Sequence, residues 1–528
     1  MSAGITNQPP EVGAAETQQF RSQVGHISRQ SGVYFAGTIF TLAFGYIFKV
    51  YLARVLGAEA LGIYALGATL MGFLGIFNTL GLPGSALRFV ASYHAADRFK
   101  ELHALLWRGA GLLLLANIAF GLGLLTLGRV LAVRFYHSVA LVQYLPWFAG
   151  LMLFGVVSSF YGKVLAGYRD LKLRTVIVNF IGSPLTMLLS VLLISAGLGL
   201  RGYLTAQILS AAAVAFLLLA AVRHLTPAAA RLSAMAGSNP QAEVWSFSGA
   251  MLGISFLEFL ISQVDKIALG YYRSTAEVGI YSVAWAVVAY VPVILSSVNQ
   301  IFAPTIASLH TRGDALLLAR LFQSLTKWIV GLTLPLAMVI ILFARPVMRI
   351  FGHDFEYGWS ILVIGTLGQL VNCGVGSVGY LLLMSGNERR LVRVQMAMAA
   401  VMVVLSAALV PLWGIIGAAV AAAITNAGMN LWNLWEVRQT LGISPYNRGY
   451  LKLVPATVVS AGVALIVQRY SSAFHHDWLA VGVALATCYG IFAGMILLVG
   501  LDADDRLIAG AIYSRVRGVF GPAAGAGA

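Results

Sequence analysis

Long apolar runs recur along nearly the whole chain, and this feature constrains the fold more than any other. Each run has about 20 mostly apolar residues, the length at which an α-helix crosses the hydrocarbon core of a bilayer. Hydrophobic residues make up 59% of the 528 residues, and charged residues make up only 10%. A soluble fold could not bury so much apolar surface. The sequence therefore predicts an all-α integral membrane protein.

About 14 transmembrane helices are predicted from these runs. The first run is long enough to cross a membrane and lacks a cleavage pattern, so we interpret it as a retained helix. Pro411 and Gly414 supply the turn between the eleventh and twelfth spans. The spans are placed at 31–53, 62–84, 106–128, 141–162, 175–197, 202–222, 245–270, 279–303, 326–344, 359–384, 394–411, 414–435, 451–468 and 478–500.

The basic residues alternate between the two sides of the predicted membrane. With 14 spans, 24 of the 34 lysines and arginines fall on the side of the termini, eight fall on the other side, and two lie within spans. By the positive-inside rule, this distribution places both termini in the cytoplasm. The net charge of +15 is thus mainly topological, and we expect no nucleic-acid partner.

An internal repeat appears when the chain is shifted by 217 residues. Gly62-Ile63-Tyr64 then meets Gly279-Ile280-Tyr281, and Lys49 meets Lys266 without a gap. A repeat unit of six helices preserves orientation, so we expect two parallel six-helix lobes around a central cavity, as in transporters built from parallel repeats. Two further helices follow the second lobe.

These observations predict a division of the chain into six segments. The segments are a disordered cytoplasmic tail (1–30), an N-lobe (31–223), a cytoplasmic linker (224–244), a C-lobe (245–440), the last two transmembrane helices (441–500) and a cytoplasmic C-terminal tail (501–528).

Several short motifs occur in an order that resembles a known family. They are 51–57 with 61–64, 81–83 with 87–89, 301–304 with 309 and 313–314, and 411 with 414 and 417–421. Together they resemble the polysaccharide transporter branch of the multidrug/oligosaccharidyl-lipid/polysaccharide flippase superfamily, the Wzx-like O-antigen and repeat-unit flippases. The similarity extends over roughly residues 30 to 440.

The resemblance implies a transporter rather than an enzyme. Such proteins carry an undecaprenyl-pyrophosphate-linked oligosaccharide to the outer leaflet by alternating access, without a cofactor or ATP of their own. Gly162-Lys163 agrees, because it lacks the remaining residues of a phosphate-binding loop. The implied location is a bacterial or archaeal cell (inner) membrane. The implied partners are the lipid-linked oligosaccharide, membrane lipids, a polysaccharide polymerase and glycosyltransferases.

Four basic residues are candidates for binding the pyrophosphate. Lys49 and Lys266 lie inside spans at equivalent positions of the repeat, and Arg54 and Arg88 flank spans. The lysines could instead extend to the outer interface or pair with acidic residues. Arg54 could be an interfacial anchor, and Arg88 a charge that sets topology.

Two acidic residues are candidates for binding a coupling ion. Glu258, Ser262 and Asp265 are spaced so that they share one face of the seventh helix. A carboxyl group inside a membrane could carry a proton or bind sodium, although a neutral structural role is the alternative for Glu258. No metal site is predicted, because His475-His476-Asp477 is three adjacent residues in a short loop.

Other functions remain as alternatives at this level. A peptidoglycan lipid II flippase also has 14 helices and a cationic cavity. A cation-coupled multidrug exporter of the same superfamily usually has 12. A membrane-embedded glycosyltransferase, polymerase or ligase would need a larger extramembrane loop than the roughly 15 residues found here. A non-transporting scaffold is the last alternative.

Overall fold

The computed structural model describes residues 14–168, 170–227, 242–470 and 476–499, and these residues contain helices and turns but no strand. Most of the predicted linker and the whole predicted C-terminal tail lie outside the described residues. Helix α1 begins at Ala14, so the tail predicted to be disordered is helical from that residue on. The segment 14–19 is rich in alanine, glutamate and glutamine, which favour a helix that continues into the first span.

Nineteen α-helices follow one another in the described residues. They are α1 (Ala14–Asn78), α2 (Leu82–Ala95), α3 (Phe99–Val130), α4 (Val139–Val142), α5 (Leu145–Gly167), α6 (Leu171–Thr175), α7 (Ser183–Leu193), α8 (Gly199–Leu225), α9 (Ala242–Tyr272), α10 (Thr275–Val288), α11 (Val293–Arg312), α12 (Ala315–Leu342), α13 (Ala344–Arg349), α14 (Trp359–Val375), α15 (Val378–Met384), α16 (Glu388–Trp413), α17 (Ile415–Leu441), α18 (Leu453–Arg469) and α19 (Asp477–Val499).

The described helices include 11 that are long and apolar enough to cross a membrane, and a bent pair, α10 with α11, makes a twelfth candidate. The protein is therefore a multi-pass membrane protein. Two candidates each cover two predicted spans: Phe44–Asn78 contains part of the first span and most of the second, and Leu171–Leu225 contains the fifth and sixth. The count of about 14 stays a prediction.

Backbone breaks divide both of these long candidates. In α1, Gly57 has φ 77° and ψ 175°, a conformation outside the helical region that glycine adopts without steric cost. Between α7 and α8, Gly197 and Gly199 have φ values of 85° and 50°. Both breaks fall where the sequence predicts a loop between two spans.

The chain forms two compact units. Unit 1 comprises Met1–Phe48, Leu74–Leu125 and Pro146–Leu252, and unit 2 comprises Lys49–Phe73, Thr126–Leu145 and Gly253–Ala528. The core of unit 1 packs Phe89, Leu102 and Phe160 among aliphatic side chains. A core of unit 2 packs aromatic and aliphatic side chains of α11, α12, α15 and α17. The predicted lobes follow the repeat instead, and their boundaries stay a prediction.

Local capping explains where two helices of the second repeat begin. The Ser274 hydroxyl accepts a hydrogen bond from the Glu277 backbone N–H, and the Glu277 carboxylate accepts one from the Ser274 backbone N–H, which is a complete capping box at the start of α10. At the start of α12, the Asp314 carboxylate accepts a hydrogen bond from the Leu317 N–H at 3.1 Å. These caps fix the positions at which the chain reverses.

Candidate functional site

The two repeat-equivalent lysines lie in unit 2, and each contacts a neutral group. The Lys49 side chain is exposed, and its Nζ lies 5.5 Å from the centroid of the Tyr290 ring. Lys266 is half-buried, and its Nζ donates a hydrogen bond to Gln263 Oε1 at 2.9 Å. Within the described part of the chain, neither lysine is in an ion pair. Neither lysine forms a salt bridge with Glu258 or Asp265 among these residues, and the role of both lysines in binding an anion stays a prediction.

Asp265 departs from the polar stripe predicted for its helix. Its side chain is only 1% exposed, whereas Glu258 and Ser262 are exposed. The hydroxyl of Tyr281 on α10 donates a hydrogen bond to Asp265 Oδ2, and the Lys266 N–H donates to Oδ1 at 2.8 Å. These bonds satisfy the buried carboxyl group and connect α9 to α10.

Tyr281 is the partner that sequence reasoning missed. It is completely buried, and its ring stacks on Trp285 with centroids 5.8 Å apart. The only sequence signal was its place in the repeated Gly-Ile-Tyr motif. Its counterpart in the first repeat is Tyr64, but the counterpart of Asp265 is Phe48, so an equivalent carboxyl pair does not exist in the first repeat.

Glu258 lies on an exposed polar face of α9. Ser255 and Ser262, three residues before it and four residues after it, are also exposed and share this face. A charged carboxylate that faced hydrocarbon would cost several kcal/mol, so such residues usually face water or a protein interior. We therefore expect this face of α9 to contact water or another part of the protein rather than lipid.

Arg88 on α2 lies beside an open cavity in unit 1. The cavity has a volume of about 510 Å³ and is lined by Arg88, Glu243, Ser246, Phe247 and Ala250. The guanidinium carbon lies 4.9 Å from the centroid of the Phe247 ring, and Arg88 Nη2 lies 3.6 Å from Glu243 Oε1. Glu243 is not among the predicted site residues, because it lies in the predicted linker 224–244.

Arg54 is bound to the end of another helix. Its side chain is exposed, and Nε donates a hydrogen bond to the carbonyl oxygen of Ile350, which caps the C-terminus of α13. A cation at a helix C-terminus binds the last carbonyl groups and is favoured by the helix dipole. This contact fixes Nε of Arg54 at the end of α13, and a role of Arg54 in binding substrate stays a prediction.

The two Gly-Ile-Tyr motifs meet in unit 2 in a symmetric contact. A Cβ atom added to Gly62 would lie 1.7 Å from the carbonyl oxygen of Thr275, and one added to Gly279 would lie 1.9 Å from the carbonyl oxygen of Ala58. The shift of 217 residues converts each contact into the other. The backbones of α1 and α10 therefore approach too closely for any residue but glycine at these two positions. The repeat in the sequence thus corresponds to a pair of equivalent contacts in the structure.

No group of three or more histidine, cysteine, aspartate or glutamate side chains that could hold a metal ion occurs among the described residues. Of the adjacent residues considered in the sequence, His476 and Asp477 are described and His475 is not. Asp477 instead accepts a hydrogen bond from Arg349 Nη2 at 3.1 Å, an ion pair between α13 and α19.

Comparisons with known proteins give a consistent picture. A profile of a family described as "Polysaccharide biosynthesis protein" matches residues 27–310. The "Probable flippase AglR" of Haloferax volcanii is 24% identical over 449 residues, which cover 84% of this chain and 89% of that protein. The "Succinoglycan biosynthesis transport protein ExoT" of Rhizobium meliloti is 26% identical over 331 residues, 60% of this chain and 61% of that protein.

A solved structure shows the fold. The structure described as "Lipid II flippase MurJ, inward closed conformation" matches with a TM-score of 0.67 at 13% sequence identity, and the match covers 87% of this chain and 98% of that one. At this identity the likeness concerns the fold alone. The chain thus shares the helical fold of that structure.

Proposed function

Because this chain belongs to the polysaccharide biosynthesis protein family and is a multi-pass membrane transporter, we propose that it flips an undecaprenyl-pyrophosphate-linked oligosaccharide across the cytoplasmic membrane. Its relatives are named as a flippase and as a transport protein for succinoglycan biosynthesis, which supports a glycan-lipid precursor as the cargo. The proposal places both termini in the cytoplasm, as the distribution of basic residues predicts.

The observation that carries this proposal is the pair of membrane-embedded lysines with neutral partners. An ammonium group inside a span is costly unless it faces water, protein or an anionic ligand. Lys49 lies over an aromatic ring and Lys266 binds an amide, so an incoming pyrophosphate would meet two cations that form no ion pair within the described ranges. Lysine is suited to this role as a compact positive charge with three donors.

Alternating access is the mechanism we infer for the flippase. The repeat predicts two lobes that rock about a substrate between them. The symmetric contact of Gly62 with Gly279 supports a closed contact between helices of the two repeats. We infer that this contact closes the substrate path on the outer side and separates when that side opens.

Glu258 and Asp265 are the residues that we infer to bind the coupling ion. The exposed polar face around Glu258 would let an ion enter from water, whereas Asp265 is buried and bound by Tyr281. We therefore assign ion entry to Glu258 and a deeper, gated position to Asp265.

Replacing each lysine separately by alanine tests the function. We expect Lys49→Ala and Lys266→Ala to lower translocation by about tenfold to a hundredfold, because each removes a charge-assisted contact worth about 1.5–3 kcal/mol. The measurement is the movement of a fluorescent undecaprenyl-pyrophosphate-linked sugar between leaflets of proteoliposomes.

Lys172→Ala is the matched control for these variants, because Lys172 is exposed near the start of α6 and lies outside the proposed site. It should translocate like the wild type. Full translocation by both lysine variants would make Lys49 and Lys266 interfacial anchors. A wild-type protein that moves none of several lipid-linked sugars under proton or sodium gradients would overturn the proposed function.

A further inference from the structure

The cavity beside Arg88 has the features of an anion-binding site. The carboxylate of Glu243 lies where an anion bound to Arg88 would lie. Arg88 lies on α2, and Glu243, Ser246, Phe247 and Ala250 lie on the first two turns or so of α9. The cavity, of about 510 Å³, is large enough for a diphosphate with its bound water. By the distribution of basic residues, this end of both helices is the predicted cytoplasmic one.

Two aromatic rings hold the guanidinium group of Arg88. Its central carbon lies 4.9 Å from the centroid of the Phe247 ring and 5.4 Å from that of the Phe89 ring. An arginine on an aromatic face keeps its donors in a fixed plane, which suits bidentate binding of a phosphate group. Because the rings position the guanidinium, its orientation does not depend on Glu243.

The ion pair between Arg88 and Glu243 is loose. Arg88 Nη2 and Glu243 Oε1 are 3.6 Å apart, and the two side chains are 57% and 62% exposed. Ion pairs this exposed contribute little to stability. A ligand of higher charge can therefore displace the carboxylate at little cost.

A second arginine in unit 1 shows the tight form of the same arrangement. Arg98 lies 4.8 Å from the centroid of the Tyr93 ring, and its Nε and Nη2 both donate to Glu101 Oε1, at 3.2 and 3.0 Å. That pair is more buried, with side chains 37% and 28% exposed. Arg98 thus binds its carboxylate through two nitrogen atoms, whereas Arg88 is more exposed and lies 3.6 Å from its carboxylate.

The helices that carry the Arg88 cavity are fixed against each other. The hydroxyl groups of Ser85 and Ser248 are 2.6 Å apart, and a Cβ atom on Gly81 would lie 2.0 Å from the carbonyl oxygen of Ser248. Since α2 and α9 touch this closely one turn from Arg88, the site exists before any ligand arrives. Preorganisation of this kind lowers the cost of binding.

We propose that Glu243 is an exchangeable counter-ion, which a diphosphate group displaces from Arg88 when it enters this cavity. The carboxylate keeps the guanidinium paired between ligands and selects for anions of higher charge than its own. The diphosphate could be soluble or could be the headgroup of the transported lipid. The second version, the lipid-linked form of the proposal, rests on the proposed function.

Pyrophosphate binding to the purified full-length protein tests the exchange. The protein is placed in nanodiscs of phosphatidylcholine, whose headgroup carries no net charge, and inorganic pyrophosphate is titrated by calorimetry. We expect Glu243→Gln to bind about two- to fivefold more tightly than the wild type, the range that loss of an exposed ion pair supports. Arg88→Gln should weaken binding by about tenfold or more, because a charge-assisted contact is lost.

Glu101→Gln is the matched control, since it removes a carboxylate from an arginine on an aromatic ring outside the cavity. It should leave pyrophosphate affinity unchanged. Equal or weaker binding by Glu243→Gln, or wild-type binding by Arg88→Gln, would overturn the proposal and leave an ordinary surface ion pair.

Undecaprenyl diphosphate added to the discs separates two sources of the ligand. Competition with inorganic pyrophosphate would assign the lipid headgroup to this site. Absence of competition would overturn the lipid-linked form and leave a site for a soluble diphosphate. Failure of the proposed function is a different result, in which the exchange at Arg88 persists but no lipid-linked sugar crosses the bilayer.

Discussion

Replacing Gly62 by alanine is expected to lower the rate of translocation by about tenfold or more. The added Cβ atom would lie 1.7 Å from the carbonyl oxygen of Thr275, so the two backbones must separate. Overpacking of this kind costs about 1–3 kcal/mol, and each 1.4 kcal/mol changes a rate or population about tenfold. The measurement is the initial rate of movement of a lipid-linked sugar in proteoliposomes, normalised to folded protein.

The equivalent glycine of the second repeat provides a second test, and a glycine without close neighbours provides the control. Gly279→Ala should have a similar effect, and the double variant should cost less than the sum, because one methyl group already separates the helices for the other. Gly75→Ala is the control: it lies in the same helix with no atom within 4 Å of the added Cβ. Wild-type transport by both Gly62→Ala and Gly279→Ala would contradict a functional contact.

Replacing Tyr281 by phenylalanine is expected to destabilise the protein by about 1–3 kcal/mol, because the buried Asp265 carboxyl loses a hydrogen-bond donor. The hydroxyl of Tyr281 donates to Asp265 Oδ2, and neither side chain is more than 1% exposed. The measurement is the thermal unfolding midpoint of the purified protein in detergent. Asp265→Asn should cost less, since an amide oxygen can still accept the bond.

A double-variant cycle separates this bond from general packing. The effects of Tyr281→Phe and Asp265→Ala, each of which removes one partner of the bond, should be non-additive by about 0.5–3 kcal/mol, as for residues in direct contact. Tyr272→Phe is the control, because Tyr272 is 46% exposed near the end of the same α9. Strict additivity would mean that the bond contributes nothing, and that Asp265 is held by its neighbours alone.

The helical segments could be predicted well because hydrophobic length is a local property. The last two predicted spans, 451–468 and 478–500, differ from α18 and α19 by one or two residues. The predicted turn at Gly414 is where α16 ends and α17 begins. The number of separate spans was harder to compare, because α1 and the stretch from α6 to α8 each count as one candidate span although a kink at a glycine interrupts each of them.

The candidate site could be predicted only in part. Charge in an apolar run identifies Lys49, Lys266, Glu258 and Asp265 without any structure, because such charges are costly in lipid. Which of them is buried depends on a neighbouring helix. Of the partners, Tyr281 is marked only by its place in the repeated motif, and Gln263 carries no distinctive sequence signal. Glu243 was missed for the same reason, since only the fold brings it to Arg88.

The amino-acid sequence by itself determined the membrane setting, the all-helical class, the repeat and the family, since all of these depend on hydrophobic length, periodicity and motif order along the chain. Tertiary structure alone decided which charges meet. It turned Asp265 away from Glu258 toward Tyr281, left Lys49 and Lys266 with neutral partners, and joined two distant glycines in one contact. The physical reason is that contacts between helices depend on their rotation and crossing, which the hydrophobic pattern of a membrane helix constrains only weakly.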